Sequence, residues 1–213
     1  MIQNSEVLIV VPAYNEAVSI AQVISGIHSA GFSCVVVDDG SEDDTSHIAK
    51  EAGAAVLTLP FNAGVGGALR CGFRYAVENG FTAVIQCDAD GQHQSHHFQD
   101  LIRTANETKA DFVLGSRFLS TENTMDPHFV RRFAMWWLAR VASRATGQKI
   151  TDSTSGFPLI RRPLLDEFAL HMPEFYLGDT FEALVVLGRA GYSVEEIGTA
   201  MVPRQSGVSS ASN

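Results

Sequence analysis

The chain has 213 residues, 46% of them hydrophobic, with 18 Gly, 7 Pro and a net charge of −9. That suits one domain with a sizeable core and no need of disulfides or a structural metal. No stretch approaches the roughly 20 apolar residues of a bilayer span, and the acidic balance argues against nucleic acid as a partner.

Met1–Glu6 lacks positive charge, and the apolar stretch behind it stops at Pro12, so no signal peptide is expected. Three cysteines, Cys34, Cys71 and Cys87, are odd in number and widely spaced. Cys34 and Cys87 fall in apolar runs, which suggests buried free thiols and a cytoplasmic, reducing location. Charge is uneven. Pro127–Arg162 holds seven basic residues against Asp152 alone, a net +6, leaving −15 for the rest. Such a segment could touch an anionic ligand or lipid headgroups, a peripheral contact at the inner membrane face.

In chain order, short apolar runs alternate with helical patterns, which predicts an α/β fold around a mostly parallel sheet. Val7–Val11 reads as a buried strand and Val18–Ala30 as a helix with Ile20, Val23, Ile24 and Ile27 on one face. Cys34–Asp38 is the next strand, followed by a helix that Ser41 or Asp43 could cap. Ala55–Leu59 is a strand, Gly67–Asn79 a helix, Ala83–Cys87 a strand, Ser95–Glu107 a helix and Asp111–Ser116 a strand. Leu119–Asp126 reads as a polar loop and Phe129–Ala145 as a long helix, with Trp136 and Trp137 set among arginines. Gly156–Ile160, Thr180–Ala190 and Ser193–Ile197 read as strand, helix and strand. Residues 1–204 are expected to form one domain, with 205–213 a flexible tail.

Ligands of parallel α/β sheets collect at the carboxyl ends of the strands. Five segments there carry more polar groups than a turn needs: Pro12–Glu16, Asp38–Ser41, Asn62–Gly67, Asp88–His93 and Gly115–Arg117. Asp88 and Asp90, one residue apart, can both turn toward one ligand, and oxygen ligands suit Mg²⁺ or Mn²⁺ bridging substrate phosphates. Such an ion would neutralise a diphosphate leaving group. A D-x-D triplet alone also serves as a helix cap. Asp39 could accept hydrogen bonds from a base or ribose, with Pro12 and Tyr14 packing on the base; a tight turn with a capped helix is the plainer alternative.

The glycines ending at Gly67 fail the G-x-G-x-x-G pattern, since Leu69 holds the third position, and there is no P-loop. They could let the backbone approach a sugar nucleotide or a neighbouring strand. His93, His96 and His97 lack the thiolates or H-E-x-x-H spacing of a zinc site and read as helix-entry residues. Arg117, Arg131 and Arg132 could hold a phosphate through guanidinium forks.

Taken together, VVPAYNE, VVVDDGS, NAGVGGALRCGF, CDADGQH, LGSR and DSTSGF resemble the family 2 glycosyltransferases. The branch they are most similar to holds dolichol-phosphate mannose synthases and bacterial polyprenyl-phosphate glycosyltransferases. The resemblance runs from about Val7 to Gly207. It implies a GT-A fold and metal-dependent, inverting transfer of one sugar from a GDP- or UDP-sugar to a polyprenyl phosphate. By motif matching, Pro12, Tyr14, Glu16, Val37, Asp39 and Gly67 would line the nucleotide-sugar pocket. Asp88 and Ala89 would flank the ribose and diphosphate, and Asp90 with Gln92 would hold the metal. Arg117 would serve the donor and acceptor phosphates, Arg131 would grip the lipid phosphate, and Asp152 would stand near the acceptor as a catalytic residue with Asp88, Asp90 and Arg117. The chain departs from the family at Pro158, where Arg or Lys is frequent, and at Gly207–Ser210, which lacks a lysine.

Three other readings stay open. A soluble, protein or glycan hydroxyl acceptor would need a catalytic base. Nucleotidyltransfer also uses D-x-D-like sites, though no basic triphosphate loop stands near the N-terminus. A sugar-nucleotide-binding module without activity would not need Asp88, Asp90 and Gln92 together.

Overall fold

The computed structural model describes residues 1–119, 129–171 and 180–200, with the backbone alone for 129–136. Most of the expected Leu119–Asp126 loop, the side chains of Arg131, Arg132 and Trp136, and the tail 205–213 with Gly207–Ser210 lie outside the described residues.

Strand β1 (Val7–Ala13) is buried from Val7 to Val11 without interruption. Val7, Ile9 and Val11 pack into one core layer and Leu8 and Val10 into the other. That two-sided burial is why the strand reads as a continuous apolar run rather than an alternating one. Helix α1 (Ile20–Ser29) buries Ile20, Ile24 and Ile27, spaced four and three apart on one face. It begins two residues later than expected. Ser19 instead closes a turn on Glu16, its N–H donating to the Glu16 carbonyl at 3.1 Å, and Val18 stands in solvent.

Strand β2 (Ser33–Asp38), helix α2 (Thr45–Glu51), strand β3 (Ala55–Thr58), helix α3 (Gly64–Glu78) and strand β4 (Ala83–Gln86) complete the first half. Neither Ser41 nor Asp43 occupies the N-cap of α2, as the sequence suggested; Asp44 does, without a side-chain cap bond. Asp43 still accepts the Thr45 N–H at 3.0 Å, but both residues also tie the loop after β1, Ser41 Oγ accepting from Asn15 N and Asp43 from Ala17 N. Helix α3 lies close on the sheet: a Cβ at Gly72 would stand 2.3 Å from Val10 Cγ1.

The second half holds α4 (His97–Thr108), β5 (Phe112–Ser116), α5 (Phe129–Thr146), β6 (Pro158–Arg161), α6 (Leu164–His171), α7 (Thr180–Ala190) and β7 (Val194–Gly198). Helix α6 was not anticipated; it follows Pro163 and spans only 8 residues. The sheet order is β3-β2-β1-β4-β6-β5-β7. Neighbouring strands run parallel except β6, which lies antiparallel to both β4 and β5. One core layer sits under α1, α2 and α4, the other under α3, α6 and α7. Cys34 and Cys87 are buried free thiols; burial pushes the Cys34 thiol up to about 11. Among the described residues no helix is long and apolar enough to cross a membrane.

Candidate functional site

Strands β1, β2, β4 and β5 end on one rim, and their exits bring together most of the residues singled out in the sequence. After β1, Tyr14 is 45% exposed while Glu16 is buried. Glu16 is held from two sides: its N–H donates to Thr45 Oγ1 at 2.8 Å, and its Oε2 accepts from Ser19 Oγ at 2.8 Å. Pro12 pairs with Val37 across β1 and β2. Val37 was expected to line a nucleotide pocket. Its side chain is fully buried in the core layer under α3, so only its backbone could serve such a pocket.

Asp39, after β2, accepts the Ala63 N–H at 2.7 Å and so pins the turn that begins α3. Burial raises its pKa above the ordinary 3.8, outweighing the Ala63 and Gly64 N–H groups that lower it. Gly67 lies buried in the first turns of α3, where a Cβ would stand 2.8 Å from that of Ala63. Its missing side chain thus lets the helix turn pack on itself.

Past β4 the chain turns through Asp88, Ala89 and Asp90. Ala89 packs into the core, and Asp90 is buried with its Oδ1 accepting the Gln92 N–H at 2.9 Å. Asp88 keeps 38% of its side chain exposed and meets His93 Nε2 at 3.0 Å through Oδ2. The His93 side chain is only 2% exposed and stacks on Phe157, centroids 4.5 Å apart at 13°. On the other side, a Cβ at Gly156 would stand 3.2 Å from Asp88 Oδ2. Asp88 is therefore set by His93 from its own loop and bordered by the turn before β6.

Past β5, Arg117 is bound to Asp152. Its Nε donates to Oδ2 at 2.7 Å, its Nη2 to Oδ1 at 2.8 Å, and its backbone N–H to Oδ2 at 3.0 Å. Nη2 also reaches Thr154 Oγ1 at 2.6 Å. Burial alone would raise the Asp152 pKa, but the Arg117 bonds and charge, with the Thr154 N–H, bring it below the usual value. Asp152 holds the guanidinium proton most strongly, and the Asp88 charge adds to that hold. The basic and acidic sides of the rim thus feel one another.

A hard divalent cation fits this donor set. Asp88, Asp90 and Gln92 offer oxygens at one turn, and among the described residues no three His, Cys, Asp or Glu side chains close a full cage. An ion there would complete its shell from substrate phosphate and water, as Mg²⁺ and Mn²⁺ do. His96 and His97 open α4, as helix-entry residues, with rings 4.0 Å apart and His97 accepting the Ala200 N–H at 3.0 Å.

Three contributors escaped sequence reasoning: His93 as the partner of Asp88, Thr154 on Arg117, and Glu196 of β7. Both Glu196 oxygens accept from the loop that carries Asp152. The Asp88–His93 spacing of five is the one local signal; the other two contacts join distant segments.

The family model described as glycosyl transferase family 2 matches residues 8–168. An uncharacterized protein of Methanocaldococcus jannaschii is 34% identical over 73% of this chain, which spans 64% of that protein, less than two thirds of its length. Polyprenol monophosphomannose synthase of Mycolicibacterium smegmatis is 29% identical over 96% of this chain and 80% of its own. Among solved structures, glucosyl-3-phosphoglycerate synthase from Mycobacterium tuberculosis, in complex with Mn²⁺, uridine diphosphate and glucosyl-3-phosphoglycerate, is similar with a TM-score of 0.61. It is 19% identical, over 93% of this chain and 72% of that one. The fold is the GT-A arrangement expected from the sequence.

Proposed function

The chain belongs to glycosyl transferase family 2, and on that premise we propose that it moves a sugar, with inversion, from a GDP- or UDP-sugar to a polyprenyl phosphate. One observation carries the reading: the carboxylates of Asp88 and Asp90 follow β4 and the guanidinium of Arg117 follows β5 on one sheet rim, with Asp88 within electrostatic reach of Arg117. A cation-binding turn beside an anion-binding arginine is what a diphosphate donor and a phosphate acceptor require.

Asp90 and Gln92, with Asp88 beside them, would hold Mg²⁺ or Mn²⁺. When bound, the ion supplies positive charge to the departing diphosphate. Tyr14, Asp39, Pro12 and the backbone of Val37 would border the base and ribose, with Glu16 fixing the loop after β1 and Gly67 the start of α3. Arg117 binds the acceptor phosphate and is kept in plane by Asp152. Because that phosphate is already anionic at neutral pH, positioning does most of the work and no base is needed. Asp152, held below the usual carboxylate range, is suited to orienting rather than to taking a proton. Arg131 on α5 is the proposed second contact to the lipid phosphate, with α5 lying against the cytoplasmic membrane face. The name of the mycobacterial relative and the Mn²⁺ and uridine diphosphate in the solved neighbour support this reading.

The test is a transfer assay with UDP-glucose and GDP-mannose, Mn²⁺, and either farnesyl phosphate or 3-phosphoglycerate as acceptor. Transfer to farnesyl phosphate, lost in Asp90→Ala, is the expected result. Transfer to 3-phosphoglycerate alone, or full activity in Asp90→Ala, would overturn the proposal.

A further inference from the structure

Arg117 directly follows Ser116, the last residue of β5, and its guanidinium is aimed by Asp152, which sits in the loop between α5 and β6. A loop residue aims nothing unless the loop itself is fixed. Glu196, on β7, does the fixing. Its Oε1 accepts the Asp152 N–H at 2.7 Å, and its Oε2 accepts the Thr151 N–H at 2.8 Å. The Thr151 hydroxyl adds a bond to Oε1 at 3.1 Å and meets Ser116 Oγ at 2.9 Å.

Strand β7 is in turn paired with β5, Glu196 opposite Leu114 and Gly198 opposite Ser116. The contacts close a ring: Arg117 to Asp152, Asp152 through its backbone to Glu196, Glu196 along β7 to β5, and β5 back to Arg117. Burial weighs against the charged form of Glu196, so a carboxylate here needs the donors that Thr151 and Asp152 supply. A surface residue in a solvated loop would show none of this.

We propose that Glu196 is a positioning residue for the candidate site: it fixes the loop Thr151–Thr154 and, through Asp152, holds Arg117 in its phosphate-facing orientation. This rests on the reading of Arg117 as the phosphate-side cation. Glu196 touches neither substrate in that reading. It acts at one remove, and a change there should disturb acceptor use while sparing the nucleotide.

Glu196→Gln is the direct test, because its amide NH₂ would oppose the backbone donors that the carboxylate accepts. Two measurements decide it. In NMR of the protein alone, the Arg117 Nε–H signal, assigned by its loss in Arg117→Lys, should exchange with water about tenfold faster in Glu196→Gln than in wild type. In the transfer assay, kcat/KM for farnesyl phosphate should fall roughly 10–100-fold, the scale of a misplaced group, while the Kd for UDP or GDP with Mn²⁺ stays within about twofold. The double variant Glu196→Gln/Arg117→Lys should be no worse than Arg117→Lys, since both remove one device. Unchanged Nε–H exchange, or losses that simply add in the double variant, would overturn the proposal. Glu196→Asp keeps the charge one methylene short and takes the same measurements if Glu196→Gln does not fold. A wild-type protein that binds nucleotide but transfers nothing to farnesyl phosphate sinks the acceptor reading alone, and the exchange measurement still decides the place of Glu196.

Discussion

Arg117 and Asp152 meet as a two-pronged pair, 2.7 Å and 2.8 Å across, with the carboxylate wholly out of solvent and the arginine 28% exposed. Parallel hydrogen bonds of this kind fix the guanidinium plane as well as its position. They also leave Asp152 a settled anion at neutral pH. Its value to the site is geometric.

Asp152→Ala strands Arg117 without its partner and should cost about 3 kcal/mol of unfolding free energy in urea. The acid side gives a second readout. A carboxyl whose folded pKa lies below its ordinary 3.8 stabilises the fold above that value, and the contribution is lost as pH falls through the folded pKa. Wild type should therefore lose stability below about pH 4 more steeply than Asp152→Asn. Superimposable acid profiles would show that the pair contributes nothing.

Asp90→Asn keeps the shape of the β4 exit but removes its charge. Wild type should be stabilised in thermal shift by UDP or GDP only when Mn²⁺ is present, through mass action on the folded state. The variant, and wild type with EDTA, should show no such shift. An undiminished shift in Asp90→Asn would place the nucleotide or the ion elsewhere.

Gly156→Ala adds a Cβ 3.2 Å from Asp88 Oδ2, closer than ordinary contact. His93 holds that same oxygen and, buried against Phe157, cannot retreat easily. The carboxylate must shift, so Mn²⁺-dependent nucleotide affinity should fall about tenfold, near 1.4 kcal/mol, with little change in melting temperature. Calorimetry giving wild-type affinity would show that Asp88 has room.

Gly72→Ala probes the fold away from the site. Its Cβ would fall 2.3 Å from Val10 Cγ1, and overpacking of this kind costs about 1–3 kcal/mol. Adding Val10→Ala should recover part of the loss, and nucleotide affinity should not move. A Gly72→Ala protein as stable as wild type would mean that α3 can lift off the sheet.

What could be read in the chain beforehand follows from what is local. The strands of the first half are short apolar runs buried on both faces, so Val7–Val11 and Cys34–Asp38 declared themselves, and the strand-exit rule then selected Asp88, Asp90 and Arg117. Val37 shows that a motif names a residue without saying which of its atoms face a ligand. It shares a sheet face with Val35 and with Leu8 and Val10 of the neighbouring strand, which consigns its side chain to the core. Contacts made only by folding were hidden. Asp88 with Gly156, and Asp152 with Glu196, lie 68 and 44 residues apart, and nothing in either segment names the other. Helix α6 escaped because one short helix behind a proline offers few periods to detect.

The antiparallel course of β6 bears on how the molecule assembles itself. β4 hydrogen-bonds to β1 and β6, and β5 to β6 and β7, so among the described residues β6 is the only ladder joining the two flanks of the sheet. Until it slots in, a four-strand piece and a two-strand piece have no common edge, and closing that gap waits on a loop of some seventy residues, an entropically slow event. Asp88 lies on one piece and Arg117 on the other. The two halves of the chemistry come face to face only at the moment the seam is sewn.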